Sequence, residues 1–484
     1  MIFGIQRKSL SADSKPWIRK TWNLISSKRP KIFFPLLLIL YFCRRKIAWR
    51  NGVLLAASLV FYAWGEPRFI LLLLLAAAEG YLGGLLIERK RSRAVLAVTV
   101  ALLVGNLAVF KYLGFFCANL SPLIPALGRV PALALPIGIS FYTFQILSYV
   151  IDLYRGKVAV QRNFFSLLLY VSFFPQLIAG PIVRYETVEA EIRDRSESLT
   201  DAAVGLRRFI RGLAKKVLLA NTVALLPDAI YAGDPAVFGT LSYWLAALGY
   251  TLQIYFDFSG YSDMAIGLGR MFGFHFLENF DYPYVSRSIT EFWRRWHISL
   301  STWFRDYVYI PLGGNRVSRG RWIFNLLVVW ALTGFWHGAQ WNFILWGLYY
   351  AALLLLEKLL LGKRLEKLPS VLRWVYTFFF VNLGWVLFDR TDFASLKSAL
   401  QTLFVWRPTD WAGVFASDLS LLVSCLAVIP ALALSFPILR RPIEKLPRTL
   451  GGTIALDVVC VVLLALSIAS LISTQYNPFI YFRF

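Results

Sequence analysis

The chain of 484 residues contains only three histidines, and one of them lies within an apolar run. His337 falls in residues 322–356, where its polar neighbours along the chain are Thr333, Gln340 and Asn342. An imidazole among polar groups in an apolar setting is suited to accepting and returning a proton near neutral pH. The pattern therefore favours a proton-transfer site at His337, with a structural core histidine as the alternative.

A second concentration of polar residues lies just before this run, in residues 257–316. Its ionisable members include Asp257, Asp263, Glu278, Asp281, Glu291, Arg294, Arg295, His297, Arg305, Asp306 and Arg316. Ionisable groups near a membrane are costly, and they usually pair with each other or face a polar cavity. The segment is therefore predicted to form either structural ion pairs or the polar wall of a site.

Helical geometry decides which of these side chains would share a face. At about 100° per residue, a continuous helix over 291–305 carries a single polar stripe. The stripe consists of Glu291, Arg294, His297, Ser301 and Arg305, with Trp293, Trp296, Leu300 and Trp303 on the other side. Such a stripe predicts the wall of a polar tunnel, and an ion pair between Glu291 and Arg295 is the structural alternative.

The remaining histidine and the cysteines argue against a metal centre. Zinc is usually held by four Cys or His ligands, and three histidines need cysteines at suitable spacing to complete such a set. The four cysteines are scattered with no CxxC pair, at Cys43, Cys117, Cys425 and Cys460. We predict no metal site, interpret the cysteines as small buried hydrophobic residues and assign His275 a structural role.

The elements that must position these residues are membrane helices. Lys and Arg number 51 against 27 Asp and Glu, which gives a net charge of +24, yet only 16% of residues are charged and 58% are hydrophobic. Apolar runs of about twenty residues exceed what a water-soluble domain buries. The composition excludes a soluble globular protein, a disordered protein and a secreted disulfide scaffold, and it is too poor in charge for a nucleic-acid binder. It predicts an all-α, polytopic integral membrane protein that contacts membrane lipid.

Charge along the chain predicts its division and its sidedness. Residues 1–31 form a basic cytoplasmic leader, residues 32–473 a single membrane domain with its catalytic core at about 250–350, and residues 474–484 an extracytoplasmic aromatic tail. Cytoplasmic loops of membrane proteins are enriched in Lys and Arg. By this rule the basic loop 357–373 is cytoplasmic, whereas the acidic loop 406–418 is extracytoplasmic.

Three apolar runs and one basic segment have patterns that predict special geometry. Residues 32–43 are too short to cross a bilayer, because twelve helical residues rise only about 18 Å. The run 164–183 contains Pro and Gly and is predicted to be a broken helix inside the protein. The run 322–356 is basic at both ends and is therefore predicted to be a hairpin. The segment 204–219 is amphipathic and basic, which favours the cytoplasmic membrane face.

Two long motifs make the sequence recognisable. EFWRRWHISLSTWFRDYVYIPLGGNR at 291–316 and LTGFWHGAQWNFILWGLYY at 332–350 resemble segments of the membrane-bound O-acyltransferase family. Shorter supporting pieces are SLVFYAWGEPRF, LPIGISFYTFQILSYVIDLYRG, FFPQLIAGPIVRY, QIYFDFSGYSDMAIGLGRMFGF and ENFDYPY. The similarity extends over roughly residues 50–484. Within the family, the chain resembles the branch that acylates extracytoplasmic polymers such as alginate, peptidoglycan and teichoic acid.

The resemblance implies a fold of about ten to twelve transmembrane helices, with re-entrant and interfacial helices, around a central tunnel. It implies that His337 is the catalytic histidine and His297 the second motif histidine. Residues expected to line the tunnel or bind the acyl donor are Glu291, Arg294, Arg305 and Asn342. The tail resembles one whose tyrosine, here Tyr481, is proposed to relay the acyl group outward; anchoring by its aromatic side chains is the alternative.

The implied activity is O-acetylation of an extracytoplasmic polysaccharide, alginate-like or another exopolysaccharide, by a multi-pass enzyme of the bacterial inner membrane. Acetyl-CoA is the expected donor substrate, and no bound cofactor is expected. The chain contains no GxSxG motif and no large soluble segment. A separate extracytoplasmic SGNH-type acetyltransferase is therefore the expected partner. Acylation of peptidoglycan and D-alanylation of teichoic acid are alternatives within the fold, and a transporter or a non-catalytic scaffold of a polysaccharide synthase is an alternative of another class.

Overall fold

The computed structural model describes residues 30–480 with the exception of 132, 179, 235–236, 418, 446–448 and 474–478. The predicted basic leader and Tyr481 therefore lie outside the described residues, apart from the last two positions of the leader. Within the described residues every regular element is a helix, and none is a strand. This confirms the predicted all-α architecture.

The first half of the chain forms helices of very different lengths. These are α1 (Pro30–Phe42), α2 (Ile47–Gly65), α3 (Ile70–Lys90), α4 (Arg93–Leu107), α5 (Leu113–Leu120), α6 (Ile139–Tyr154), α7 (Phe164–Ser172), α8 (Tyr185–Arg193), α9 (Leu199–Ala214), α10 (Asn221–Val223) and α11 (Leu225–Ala232). A π-helical turn, Ala108–Tyr112, joins α4 to α5, and another, Lys215–Ala220, follows α9.

The second half contains the longest helix and the predicted hairpin. The helices are α12 (Thr240–Met271), α13 (Ile289–Arg295), α14 (Ile298–Phe304), α15 (Arg319–His337), α16 (Trp341–Leu356), α17 (Gly362–Lys367), α18 (Ser370–Asp389), α19 (Phe393–Phe404), α20 (Trp411–Ser417), α21 (Leu419–Leu434), α22 (Arg440–Lys445) and α23 (Leu450–Ser473). Further π-helical turns, Arg305–Tyr309 and Glu357–Leu361, follow α14 and α16.

Six helical segments of the described chain are long and apolar enough to cross a membrane. They are Ile47–Gly65, Ile70–Lys90, Arg93–Leu120, Trp341–Lys367, Ser370–Asp389 and Leu450–Ser473. On α23 the large side chains Ile454, Val458 and Val461 are more than half exposed. In water such a surface would be unfavourable, so it is suited to contact with lipid.

The irregular helices follow the predicted breaks. The run 322–356 is a hairpin of α15 and α16, and the helix that begins at Phe164 ends at Ser172, well before the end of the apolar run. Residues 32–43 lie almost entirely in the short helix α1. These three predictions are confirmed.

The prediction of one continuous helix over 291–305 is wrong. The chain forms two short helices, α13 and α14, and between them His297 has a left-handed backbone with φ of 45°. A left-handed residue ends the regular helical rotation, so side chains on either side no longer share one stripe. The polar stripe therefore does not exist as predicted, and its members point to different surroundings.

The amphipathic segment after residue 199 packs against the long helix α12 through glycines. A Cβ placed on Gly205 would lie 2.5 Å from the carbonyl oxygen of Gly267, and one on Gly212 would lie 2.5 Å from that of Gly260. No real Cβ atom could lie this close to a carbonyl oxygen, so only glycine fits at these positions. The backbones of the two helices are therefore in direct contact. Small residues at helix interfaces allow this close approach in membrane proteins.

The buried hydrophobic residues form two cores. The amino-terminal core is built mainly from α1–α8 and includes Trp303 and Trp336, whereas the carboxy-terminal core is built mainly from α11, α12, α16, α18 and α21 and includes Trp296 and Trp346. Side chains from α13–α15 contribute to both. The segment containing both motif histidines therefore lies where the two cores meet.

Candidate functional site

His337 is the last residue of α15, at the tip of the hairpin. Glycines hold the two arms of the hairpin together directly below this tip. A Cβ on Gly334 would lie 2.1 Å from the carbonyl oxygen of Phe343, and one on Gly347 would lie 2.2 Å from that of Trp330. The backbones of α15 and α16 are therefore in contact, which fixes the direction in which His337 leaves the helix.

Aromatic rings from both cores surround the imidazole of His337. Its ring centroid lies 4.9 Å from Trp336, 5.1 Å from Trp346 and 5.2 Å from Phe388, and each pair is arranged edge to face. The side chain is buried, with 8% of its surface exposed. The imidazole is therefore enclosed mainly by aromatic rings, and its role in proton transfer stays a prediction.

A narrow cavity opens beside His337. It is lined by Ile254, Asp257, Phe258, Tyr261, Trp296, His337, Trp385, Phe388, Phe479 and Ile480. The wall is mainly aromatic, and its titratable members are Asp257, Tyr261 and His337. Two residues near the end of the described chain, Phe479 and Ile480, form part of this wall.

His297 is held at the break between α13 and α14 by Asn279. The amide oxygen of Asn279 lies 3.2 Å from His297 Nδ1 and accepts from the backbone N–H and the hydroxyl of Ser299, at 3.1 and 2.9 Å. The backbone carbonyl of Asn279 accepts from the N–H of Ile298 at 2.9 Å. Asn279 thus stabilises the turn through its backbone and its side chain, and its amide orients the imidazole of His297.

These contacts determine the tautomer of His297. A backbone N–H donates to the Asn279 amide oxygen, so that atom is an acceptor and His297 Nδ1 must carry the proton. In the neutral ring, Nε2 is then the acceptor, and within the described residues it has no hydrogen-bond partner. Phe258, which lines the cavity, packs edge-on against the ring at 4.7 Å. His297 therefore lies one aromatic ring behind the cavity wall.

Of the other predicted tunnel residues, Glu291 stabilises local structure. Its carboxylate accepts from Arg295 Nε at 3.0 Å and from the backbone N–H of Arg287 at 2.9 Å. The hydroxyl of Ser288 accepts from the N–H of Glu291 in return. These bonds cap the start of α13 and form the ion pair that was the structural alternative.

Arg294 and Arg305 are exposed and do not line the cavity that contains His337. Arg305 donates to Asp306 at 2.7 Å, and Arg184 donates to the same carboxylate at 2.8 Å. Burial opposes ionisation of Asp306, yet these two guanidinium groups hold the pKa of its carboxyl below the usual value. A role for either arginine in binding the donor stays a prediction.

Asn342 lies near the start of α16, close to the tip that carries His337. It is buried, and its amide nitrogen donates to the carbonyl of Phe388 at 3.1 Å. Its amide oxygen has no partner among the described residues. Asn342 thus positions Phe388, one of the rings against His337, and offers an unused acceptor beside the site.

The structure also brings in a residue that sequence reasoning missed. Lys111, in the π-helical turn after α4, donates to the hydroxyl of Ser140 at 3.1 Å and to the backbone carbonyl of Trp336. That carbonyl belongs to the last turn of α15, where a cation is favourable because carbonyl groups are unsatisfied. The sequence did contain a signal for this residue, because Lys111 is a lysine within an apolar stretch.

His275 lies away from this site. Its Nδ1 is 2.8 Å from Glu191, and just over half of its side chain is exposed. Among the described residues, no three Cys, His, Asp or Glu side chains are grouped closely enough to hold a metal ion. The site therefore consists of His337 and His297, the cavity between the cores, and the residues that orient them.

Comparison with known proteins agrees with this architecture. Residues 157–387 match the model of the MBOAT, membrane-bound O-acyltransferase family. A probable alginate O-acetylase from Azotobacter vinelandii is 39% identical over an alignment of 495 positions, which covers 94% of this chain and 98% of that protein.

Two relatives with other printed activities are also similar. A peptidoglycan O-acetyltransferase from Helicobacter pylori is 37% identical over 72% of both chains. A teichoic acid D-alanyltransferase from Bacillus subtilis is 31% identical over 53% of this chain and 69% of that protein. With its spanning helices and the near full-length match to a bacterial relative, this chain belongs to the membrane-bound O-acyltransferase family and is a multi-pass acyltransferase of the bacterial inner membrane.

Proposed function

We propose that this acyltransferase moves an acetyl group from cytoplasmic acetyl-CoA across the membrane for O-acetylation of an extracytoplasmic polysaccharide. The observation that carries the proposal is His337, buried at the tip of a rigid hairpin and facing a cavity between the two cores. The similarity to a probable alginate O-acetylase over nearly the whole chain supports an alginate-like acceptor or another exopolysaccharide.

The proposed chemistry is general-base catalysis of acyl transfer. His337 accepts the proton of an attacking hydroxyl, whose oxygen forms a bond to the carbonyl carbon of the thioester. The C–S bond then breaks, and the proton passes from the imidazole to the departing thiolate. The aromatic wall excludes water, which would otherwise hydrolyse the thioester.

The two histidines divide this work between them. His297 is behind the wall, and its free Nε2 is suited to accept a hydrogen bond from a group that enters beside Phe258. We assign it the role of orienting the attacking group, whereas His337 exchanges the proton. Asn342 contributes by holding Phe388 against His337.

The proposed route outward uses the tail and a second protein. Tyr481 is the acyl relay candidate, because the two described tail residues before it, Phe479 and Ile480, line the cavity of His337. The acyl group would pass from the tyrosine to an SGNH-type acetyltransferase outside the membrane, and that enzyme would modify the polysaccharide. The relatives that act on alginate and peptidoglycan support an acceptor too large to enter the cavity.

Substitution of His337 tests the activity. We expect His337→Ala to lower acetyl transfer by a factor of about 10²–10⁴, because general-base catalysis contributes roughly that much. The measurement is consumption of radiolabelled acetyl-CoA by inner-membrane vesicles, together with the amount of folded protein.

The matched control is His275→Ala, which removes an exposed imidazole far from the cavity. Full transfer by His337→Ala would overturn the assignment of this residue as the general base. The second candidate function is D-alanyl transfer, which the similarity to a teichoic acid D-alanyltransferase supports. Wild-type vesicles that do not consume acetyl-CoA but do consume a D-alanyl carrier protein would establish it.

A further inference from the structure

Two residues of the tail, Phe479 and Ile480, are held by a buried ion pair. The backbone N–H of Ile480 donates to Asp257 Oδ2 at 2.9 Å, and Asp257 Oδ1 accepts from Lys216 Nζ. The same ammonium group lies 4.7 Å from the centroid of the Phe479 ring. The pair therefore holds one tail residue by its backbone and the preceding one by its ring.

An ion pair in this position is a poor means of stabilising an apolar core. The side chains of Lys216 and Asp257 are only 7% and 3% exposed. Desolvating two charges offsets most of their attraction, and apolar residues often replace buried pairs without loss of stability. Lys216 also lies in the π-helical turn Lys215–Ala220, and such turns occur frequently at functional sites. A specific contact accounts for these charges better than packing does.

Asp257 of the ion pair, the two described tail residues and the candidate catalytic residue line one cavity. Asp257, Phe479, Ile480 and His337 all line it. Tyr481 follows Ile480 in the chain, and consecutive Cα atoms are about 3.8 Å apart. The residue whose N–H is held by Asp257 is thus the immediate neighbour of the relay candidate.

We propose that Asp257 and Lys216 are positioning residues that dock the carboxy-terminal tail beside His337 through Phe479 and Ile480. The role of Tyr481 in this inference rests on the proposed function, whereas docking of the tail is a physical event that needs no donor. The phenol oxygen would form the bond to the thioester carbonyl carbon as the C–S bond breaks. Its proton would pass through His337 to the thiolate.

Docking is measured without any substrate by cysteine labelling of the tail. Arg483→Cys is introduced into the full-length protein after the four native cysteines are replaced by Ser, and its rate of reaction with a hydrophilic maleimide is recorded in detergent. We expect Lys216→Met and Asp257→Asn each to raise that rate about tenfold or more. Lys216→Met removes the ammonium group beside the Phe479 ring, and Asp257→Asn removes the charge of the group that accepts from the Ile480 N–H.

The chain offers a closely matched control pair. Lys215 Nζ donates to Asp263 at 2.6 Å, one residue before Lys216 and on the same two elements. Lys215→Met and Asp263→Asn remove an ion pair of the same chemistry that holds no described tail residue. We expect the labelling rate of Arg483→Cys in these variants to equal that of the parent.

A third variant isolates the tail contact from the fold. Ile480→Pro retains Asp257 and Lys216 and removes the donated N–H, while its ring also fixes φ at this position. It is expected to raise the labelling rate as the charge variants do. In the acetyl-CoA assay, Ile480→Pro and Lys216→Met should lower kcat about tenfold while KM for the donor stays unchanged, because the donor still binds.

The outcomes separate the two proposals. Labelling rates equal to the parent in Lys216→Met, Asp257→Asn and Ile480→Pro would overturn docking, whatever the donor proves to be. Faster labelling in the Lys215→Met control as well would also overturn it, because the effect would then be general loosening. Faster labelling in the tail variants alone, in a protein that does not consume acetyl-CoA, would support docking and refute only the donor.

Discussion

Single residues at this site owe their roles to the groups that orient them. His337 is directed by a helix end that glycines and Lys111 hold, and His297 is directed by one amide, that of Asn279. Because an amide oxygen is uncharged, it fixes the tautomer of His297 while leaving the ring neutral, which suits a hydrogen-bond acceptor at Nε2.

Removal of the Asn279 amide should therefore impair transfer per folded protein as well as stability. Asn279→Ala leaves the Nδ1–H of His297 and the N–H of Ser299 without their acceptor, which costs about 1–3 kcal/mol for each group. We expect acetyl transfer per folded protein to fall about tenfold or more, as measured with inner-membrane vesicles.

Asn325→Ala is the matched control for this change. Asn325 is also a fully buried amide, and it donates to the carbonyls of Leu312 and Gly314 at 3.1 Å, apart from both histidines. It should lower the midpoint of thermal unfolding without a selective loss of rate. Equal rates per folded protein in the two variants would contradict an orienting role for Asn279.

At the scale of elements, glycine contacts decide how close the helices lie. The pairs Gly205–Gly267 and Gly212–Gly260 join α9 to α12, and α12 carries Asp257 and Phe258 of the cavity wall. The amphipathic pattern of α9 predicted a helix on the membrane face, but its charged side chains also reach α12. Arg208 donates to Asp263 at 2.8 Å, for example. Helix contact and ion pairing thus fix α12 together.

Filling one of these contacts should separate the helices. Gly267→Leu places a side chain where the Gly205 carbonyl lies 2.5 Å from the first added carbon. Overpacking of this kind costs about 1–3 kcal/mol or more, so we expect a thermal midpoint several degrees lower in detergent. The control is Gly105→Leu, whose Cβ has no neighbour within 4 Å. An unchanged midpoint in Gly267→Leu would show that the contact does not hold α9 against α12.

At the scale of the whole molecule, two cores enclose one site. Rings from the amino-terminal core and the carboxy-terminal core meet at His337 through Trp336 and Trp346. The proposed transfer from a cytoplasmic donor to an external acceptor would require this site to be reachable from both sides of the membrane. The distribution of charge in the loops predicts which side is which.

Sidedness follows from that charge and is open to direct measurement. In a cysteine-free background, Ala412→Cys lies in the acidic loop 406–418 and Lys363→Cys in the basic loop 357–373. A membrane-impermeant maleimide should label Ala412→Cys in intact spheroplasts and Lys363→Cys only after permeabilisation. Labelling in the opposite order would contradict the predicted orientation of the hairpin and the tail.

The sequence by itself determined the membrane class, the hairpin around His337, the presence of a break in the run 164–183 and the family. Apolar runs, prolines and long motifs can each be recognised in a short stretch of sequence. The membrane core contains no water, so a long apolar run must form a helix there whichever helices pack beside it. The polar stripe over 291–305 failed because periodicity assumes an unbroken helix. The turn at His297 depends on Asn279, eighteen residues earlier in the chain.

Only the tertiary structure decided which of the predicted polar residues share the cavity. It separated the exposed Arg294 and Arg305 from His337, and it brought in Lys111, which sequence reasoning had missed. It also joined Asp257 to Lys216 and to Ile480, which is 223 residues away in the chain. Buried charges must find partners, yet sequence spacing does not reveal a partner on another helix. Such pairings become visible only when the helices are packed.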